Sequence, residues 1–336
     1  MIVENGTHDI EIESAHGRLL DAVNTIITCL AVLGNGMVIT VMLLRRRVFS
    51  SFTNRLILHQ SIIDCVAGVV FFSHQVLLPN ILKPVSLEDT IIVQFMCRFI
   101  HTHVFLWCIN VTSTYNLVMI SLERFMATCY PVKHRNSWSV AKLKFAIGTA
   151  WAIGFIYVSH YIFMYEAGQD GCQRTTLETG LKIFENIVVV FIEYLVPITI
   201  LIYTYSRIII KLTKKSANPM YGPRNAMNKA KKSVLVTTVL IGLMFVVCWT
   251  PNVVFSTYLF ITGKKDDSFY ELTTLLVACN TFVNPIIYGF KYEHFRSELR
   301  NLITRRCRRN RVEDRNAIPI PAAAPRMNPN LAVQSL

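Results

Sequence analysis

The chain has 336 residues, 52% of them hydrophobic and only 16% charged, with a formal net charge of +13. A soluble domain carries nearer a quarter charged residues, so this composition excludes an ordinary soluble protein. The basic excess does not imply nucleic acid either, because that requires a basic soluble face and the apolar stretches leave no soluble domain to carry one.

The N-terminal stretch MIVENGTHDIEIES has neither a basic n-region nor an apolar h-region, so a cleavable signal is not expected and the first apolar span serves as the membrane signal. Asn5-Gly6-Thr7 is a glycosylation sequon. Seven stretches then reach the roughly 20 apolar residues that span a bilayer, at 20–44, 55–81, 97–122, 144–165, 186–211, 233–261 and 271–290. Helices are expected throughout, since lipid offers no partner to a free backbone group. The pattern predicts an all-α membrane protein, a seven-transmembrane helix bundle. Residues 1–19 form an extracellular N-terminus, 20–290 the bundle, 291–304 a short amphipathic eighth helix and 305–336 a disordered cytoplasmic tail, Pro- and Ala-rich in IPIPAAAPRMNPN.

Charge orients the bundle. With the N-terminus outside, 27 of the 34 Lys and Arg fall in inner segments and 14 of the 21 Asp and Glu in outer ones. This is the positive-inside pattern of a multi-pass plasma-membrane protein with a cytoplasmic C-terminus.

The cysteines sort by position. Cys29, Cys65, Cys108, Cys248 and Cys279 lie in spans and read as small packing residues. Cys129 lies on the inner, reducing side. Cys97 and Cys172 are the pair expected outside, which suggests a disulfide between the third span and the second outer loop. Cys307, in RRCRR, is a palmitoylation candidate, with a chance basic tail as the plain alternative.

Polar residues within spans mark function because burying them in lipid is costly. Asn35 lies in the first span, Asp64 in the second and Ser113 in the third; Asn280 and Asn284, four apart, share a face of the seventh. Singly, each Asn or Ser is more often a helix–helix hydrogen bond. Together they make one carboxylate and four neutral oxygen donors, a plausible cage for a sodium ion; no other metal or cofactor is indicated. Proline inside FVNPIIYGF needs its own explanation, because it removes a backbone donor at roughly 3 kcal/mol or more. No HExxH, GxSxG, P-loop or paired-cysteine motif appears, so an enzyme is not expected, and no internal repeat supports a transporter.

Taken in order, these motifs resemble the rhodopsin-like (class A) G protein-coupled receptors over nearly the whole chain. They are Gly34-Asn35 with Val38, Asp64, Glu123-Arg124-Phe125, Trp151, Pro197 with Tyr205, Phe245 with Cys248-Trp249-Thr250-Pro251, Asn284-Pro285-Ile286-Ile287-Tyr288, and Phe295 opening the eighth helix. The resemblance implies a two-state switch. An extracellular ligand shifts the population, and Trp249 and Phe245 relay the change at the pocket floor. Pro251 and Pro285 soften their helices, Tyr205 and Tyr288 swing inward, and Arg124, held by Glu123 at rest, is released toward a heterotrimeric G protein.

Departures from the family pattern are specific. Lys231 stands where many members carry an acid that locks Arg124 to the sixth span, which implies raised basal activity. Gln60 and Ser61 make the approach to Asp64 more polar than usual, and the Cys97-to-Arg124 interval carries two extra residues.

The ligand follows mainly by exclusion. No Asp or Glu lies between Cys97 and Leu122, which argues against an amine, and Ala278 stands at the retinal-lysine position, which argues against an opsin. A neuropeptide-type ligand leads, and acidic outer loops (Glu88, Asp89, Glu166, Asp170, Glu178, Asp266, Asp267) would steer a basic one. A lipid or non-amine small molecule is the alternative. Candidate pocket residues are His101, Leu106, Trp107, Asn110, Glu193, Asn252 and Phe255, with Glu193 meeting either a ligand cation or a neighbour such as His160 or Asn110. Arrestin and membrane lipid complete the expected partners. Few Ser or Thr in the tail imply either modest arrestin control or control through the third inner loop instead.

Overall fold

The computed structural model describes residues 2–81, 91–137, 139–168, 171–175, 179–216, 225–264 and 266–316. The side chains of Asn5, Lys231 and Cys307, and all of residues 317–336, lie outside the described set, so the sequon, the absent lock, the palmitoylation candidate and most of the tail do too.

Among the described residues seven helical spans are long and apolar enough to cross a membrane: Ala15–Leu44, Phe52–Leu77, Ile91–Cys129, Val140–Met164, Thr179–Lys211, Val239–Thr262 and Ser268–Lys291. They are called here the first to the seventh span. The helix of the first begins already at Ile2, and that of the sixth at Asn225. The helix of the third runs past its apolar window to Cys129, through Glu123 and Arg124, which are good helix formers and pair with one another. Side chains that start helices do so by accepting freed backbone N–H groups: Ser51 from Asn54 at 3.3 Å, Ser139 from Lys142 at 3.4 Å and Asp266 from Phe269 at 3.0 Å. Gly263, at φ 65°, follows the end of the sixth span in the left-handed conformation that glycine adopts freely.

The first span packs on the second and seventh, the sixth on the seventh, and the third touches the second, fourth, fifth and sixth. Leu33, Phe155, Ile202 and many other large apolar side chains are exposed on the bundle exterior, as a lipid-facing surface requires. The buried core instead holds Asn35, Gln60, Ser61, Asp64, Ser113, Asn116 and Glu123. Small residues bring helices close. A Cβ on Gly68 would stand 2.9 Å from the Cβ of Ala31, and one on Gly34 would stand 3.1 Å from the Cβ of Pro285.

The N-terminal end of the third span departs from regular helix. Cys97 sits in a π-helical turn, Met96–His101; Thr102 and His103 follow, with His103 at φ 54°, and regular helix resumes at Val104. A π-turn takes in more residues per turn than an α-turn, and the break at His103 ends it. Cys97 is disulfide-bonded to Cys172, with Cα atoms 5.3 Å apart. Cys172 lies on β2 (Gly171–Arg174), antiparallel to β1 (Tyr165–Gly168).

The chain divides into two compact units, Met1–Arg296 and Ser297–Leu336. The second is described through Asn316 as part of a helix, Glu293–Asn316, that runs beyond the expected boundary at 304. Within it Thr304 Oγ1 donates to the Arg300 carbonyl at 2.9 Å.

Candidate functional site

Three layers of the bundle hold the residues singled out by sequence. In the layer at the Arg124 end, Arg124 grips its neighbour with two hydrogen bonds, Nε to Glu123 Oε2 at 2.6 Å and Nη2 to Oε1 at 2.8 Å. Glu123 is 1% exposed. It survives burial because two further donors meet it: Thr53 Oγ1 at 2.6 Å and His134 Nε2 at 2.9 Å. Buried carboxylates persist when paired and hydrogen-bonded in this way. His134 sits on the short helix Pro131–Ser137, directly after the third span. Nearby, Tyr292 donates to Asn54 Oδ1 at 2.8 Å. Burial pushes its phenol above the ordinary range, opposed by the charge of Arg124 and by the Asn54 bond.

The middle layer is built on Asp64, fully buried in the second span. Its Oδ1 accepts from Ser113 Oγ at 2.8 Å and from Gln60 Nε2 at 3.0 Å; its Oδ2 accepts from Asn284 Nδ2 at 2.7 Å. Gln60 Nε2 also donates to Ser113 Oγ. Asn35 turns elsewhere, donating to the Ala31 carbonyl at 2.9 Å and the Thr281 carbonyl at 2.8 Å, and so ties the first span to the seventh. Asn280 is buried one turn before Asn284. Asn35 Oδ1 and Asn284 Oδ1 are buried without a hydrogen-bond partner among the described residues. Of the five expected cage residues, the structure thus joins Asp64, Ser113 and Asn284 by direct bonds.

The same layer extends through Trp151 and Gln60 to His59 and Asn116, which the motif pattern does not anticipate. Trp151 Nε1 donates to His59 Nε2 at 3.1 Å, which leaves the imidazole proton on Nδ1 to donate to Asn116 Oδ1 at 2.9 Å. Asn116 Nδ2 donates to the Leu56 carbonyl at 3.1 Å and to Gln60 Oε1 at 2.7 Å. Gln60, four residues before Asp64, stands out in the sequence, whereas Asn116 carries only a faint signal, three residues after Ser113 on the face already occupied.

The third layer stacks aromatic rings across the third, fifth and sixth spans. Trp107 and Trp249 have ring centroids 6.3 Å apart, Trp249 and Phe245 5.8 Å, and Phe245 and Tyr194 6.4 Å. Trp249 and Phe245 are almost wholly buried, as are Tyr288 and, largely, Tyr205. Tyr194 Oη lies 2.6 Å from Thr250 Oγ1, one residue before Pro251, where the hydroxyl donates to the Val246 carbonyl at 2.6 Å.

Among the pocket candidates, Leu106 packs with Ile27, Phe71 and Ala278, and Phe255 lies 5.3 Å from Phe269 ring to ring. Asn110 and Asn252 are buried, whereas His101 is exposed on the π-turn. Glu193 is buried in a π-helical turn, Phe191–Leu195. It bonds neither to His160 nor to Asn110 but to Tyr157, whose hydroxyl donates to Oε2 at 3.3 Å; His160 instead lies 3.9 Å from Glu185. The fourth span sets this: Tyr157 sits almost one turn before His160 and packs between the third and fifth spans. Glu193 Oε1 has no partner among the described residues.

Comparison with known proteins gives a consistent result. The profile of the family described as 7 transmembrane receptor (rhodopsin family) matches residues 34–288. Galanin receptor 2b of Danio rerio is 26% identical over 297 residues, covering 85% of this chain and 75% of that protein. A QRFP-like peptide receptor of Branchiostoma floridae is 26% identical over 319 residues, covering 88% and 79%. Cysteinyl leukotriene receptor 2 of Mus musculus is 28% identical over 207 residues, covering 58% and 64%.

Proposed function

The chain belongs to the rhodopsin family of seven-transmembrane receptors, and on that premise we propose that it binds an extracellular neuropeptide-type ligand and activates a heterotrimeric G protein. The observation that carries the coupling half is the Glu123–Arg124 grip, reinforced by Thr53 and His134. It holds the G protein contact in a closed position that a change at the other end of the bundle can release. The stacked rings from Trp107 through Trp249 to Phe245 and Tyr194 are the physical route. A shift of any ring in a close-packed column displaces the next.

The peptide half is supported by relatives whose names specify galanin and a QRFP-like peptide. It is also supported by the exposed acids Glu166 and Asp266, which suit a basic ligand. In this proposal the N-terminus and the Cys97–Cys172 disulfide face outward, the Arg124 end faces the cytoplasm, and arrestin and lipid are further partners. The leukotriene receptor match favours a second reading, a non-peptide ligand, over a shorter stretch of the chain.

The test is constitutive signalling in cells without added ligand. Wild type and Arg124→Ala are expressed, and cyclic AMP, inositol phosphate and G protein dissociation are recorded. A basal signal that disappears in Arg124→Ala, with surface expression equal, is expected. An undiminished signal in the variant refutes the assigned role of Arg124. The coupled assay then screens basic peptides, and a response only to lipid mediators would overturn the peptide assignment.

A further inference from the structure

A cage of one carboxylate and several neutral oxygens attracts a hard cation only if lone pairs on the carboxylate remain to be shared. Asp64 meets that condition only in small part. A carboxylate offers about four lone-pair sites, and three are taken by hydrogens, two on Oδ1 and one on Oδ2. Ser113, whose hydroxyl oxygen would be a cation ligand, accepts from Gln60 Nε2 while its own proton points at Asp64.

The orientation of the Gln60 carboxamide is fixed independently of Asp64. Asn116 Nδ2 bonds the backbone carbonyl of Leu56, which can only accept. That identifies the Asn116 nitrogen, and the same nitrogen meets Gln60 on its other side at 2.7 Å. The atom of Gln60 facing it is therefore the carbonyl oxygen, and the NH2 group faces Asp64. Asn116 is oriented in turn from behind, by His59 and Trp151. Every donor in the series points toward the carboxylate: Trp151 to His59, His59 to Asn116, Asn116 to Gln60, and Gln60 to Asp64.

We propose that the Gln60 carboxamide occupies the cation position beside Asp64, so that this protein's polar core is held by its own donor and is indifferent to sodium. An amide NH2 presents two partly positive hydrogens to Asp64 and Ser113, the electrostatic service a bound cation would give. Those hydrogens also repel an incoming ion. The two oxygens without a partner among the described residues, Asn35 Oδ1 and Asn284 Oδ1, are neutral, and with only one carboxylate lone pair left to share they bind a strongly hydrated ion weakly. This inference concerns ion binding by the folded chain and stands whatever the extracellular ligand is.

The experiment uses the purified full-length protein in nanodiscs, with sodium itself as the probe. Thermal unfolding is followed in NaCl, KCl and choline chloride at equal ionic strength. Wild type is expected to unfold at the same temperature in all three. Gln60→Leu, which removes the amide and keeps the bulk, is expected to gain a saturable rise of several degrees specific to sodium, abolished by adding Asp64→Asn. A ligand that binds only the folded state raises stability in this concentration-dependent way. A sodium-specific rise in wild type that Asp64→Asn removes overturns the proposal. So does the absence of any sodium response in a folded Gln60→Leu protein. Should Gln60→Leu fail to fold, Gln60→Met takes its place, and the wild-type measurement alone still decides against the proposal if sodium stabilises.

Discussion

His134 donates to Glu123 at 2.9 Å, so the segment after the third span shares the carboxylate that holds Arg124. Each donor to a buried carboxylate favours the state in which that carboxylate is buried. His134→Ala removes one of them, and a hydrogen bond to a charged group at a partly exposed site contributes about 1 kcal/mol. That corresponds to a factor of about 5 in a two-state equilibrium. Basal G protein signalling should therefore rise severalfold in His134→Ala, and likewise in Thr53→Ala, which deletes the 2.6 Å bond to the same carboxylate. Unchanged basal signal in both, at equal surface expression, would mean that Glu123 does not set the resting population.

Gly242 leaves room for the ring of Tyr205, a residue of the proposed switch. A Cβ there would stand 2.7 Å from Cε2 of Tyr205, closer than real contacts allow, so Gly242→Ala must move the tyrosine from its resting position. Overpacking of this kind costs roughly 1–3 kcal/mol. In the proposed switch that cost falls on the resting state, and basal signalling should rise. In the double variant Gly242→Ala with Tyr205→Ala the collision is gone, and the basal signal should match that of Tyr205→Ala alone. A persisting Gly242→Ala effect in that background would place its cause elsewhere than Tyr205.

Much of this site was legible because membrane burial makes polar side chains conspicuous. Asp64, Ser113, Asn284, Glu123 and Arg124 stand out against apolar sequence, and the structure joins them. Seven apolar runs likewise marked the spans to within a few residues at most ends. Three things were less visible. The polarity of Gln60 was plain, but that its amide nitrogen faces the carboxylate depends on Asn116, a residue of another helix. The π-turn at Met96–His101 has no apolar periodicity to announce it, since it changes residues per turn within an already apolar run. The partner of Glu193 depended on which face of the fourth span meets the fifth, and two aromatic-rich faces, one with Tyr157 and one with His160, are hard to rank from sequence.

Glu193 is held by a single long hydrogen bond, from Tyr157 at 3.3 Å, and its second oxygen has no partner among the described residues. Leaving a buried polar group unsatisfied costs about 1–3 kcal/mol. Such a residue weakens the fold of the unliganded receptor. Glu193→Leu should accordingly raise the unfolding temperature of the purified protein by several degrees, given that replacing poorly compensated buried charge by apolar bulk is often stabilising. If Glu193 also meets a ligand cation, the same variant should lose potency toward any basic peptide found in the coupled screen. A fall in unfolding temperature would show that the carboxylate is better satisfied than this geometry implies.

The seam between the third and fourth spans depends on Gly154. A Cβ there would collide with Thr112 Oγ1 and stand 2.8 Å from the carbonyl oxygen of Cys108. The two atoms differ in kind. The hydroxyl can swing away, giving up its 2.8 Å bond to the Cys108 carbonyl, but the backbone oxygen can move only with its helix. Gly154→Ala should therefore separate the two spans and lower the unfolding temperature, at a cost of roughly 1–3 kcal/mol. Adding Thr112→Ala removes the nearer obstacle and should recover part of the loss, never all of it, because the carbonyl contact remains. Gly148, on the same span, provides the comparison, because a Cβ there would meet nothing within 4 Å. Gly148→Ala should be neutral or slightly stabilising, since alanine is the better helix former by up to about 1 kcal/mol. Equal losses in Gly154→Ala and Gly148→Ala would trace the effect to general helix disturbance and not to the contact with the third span.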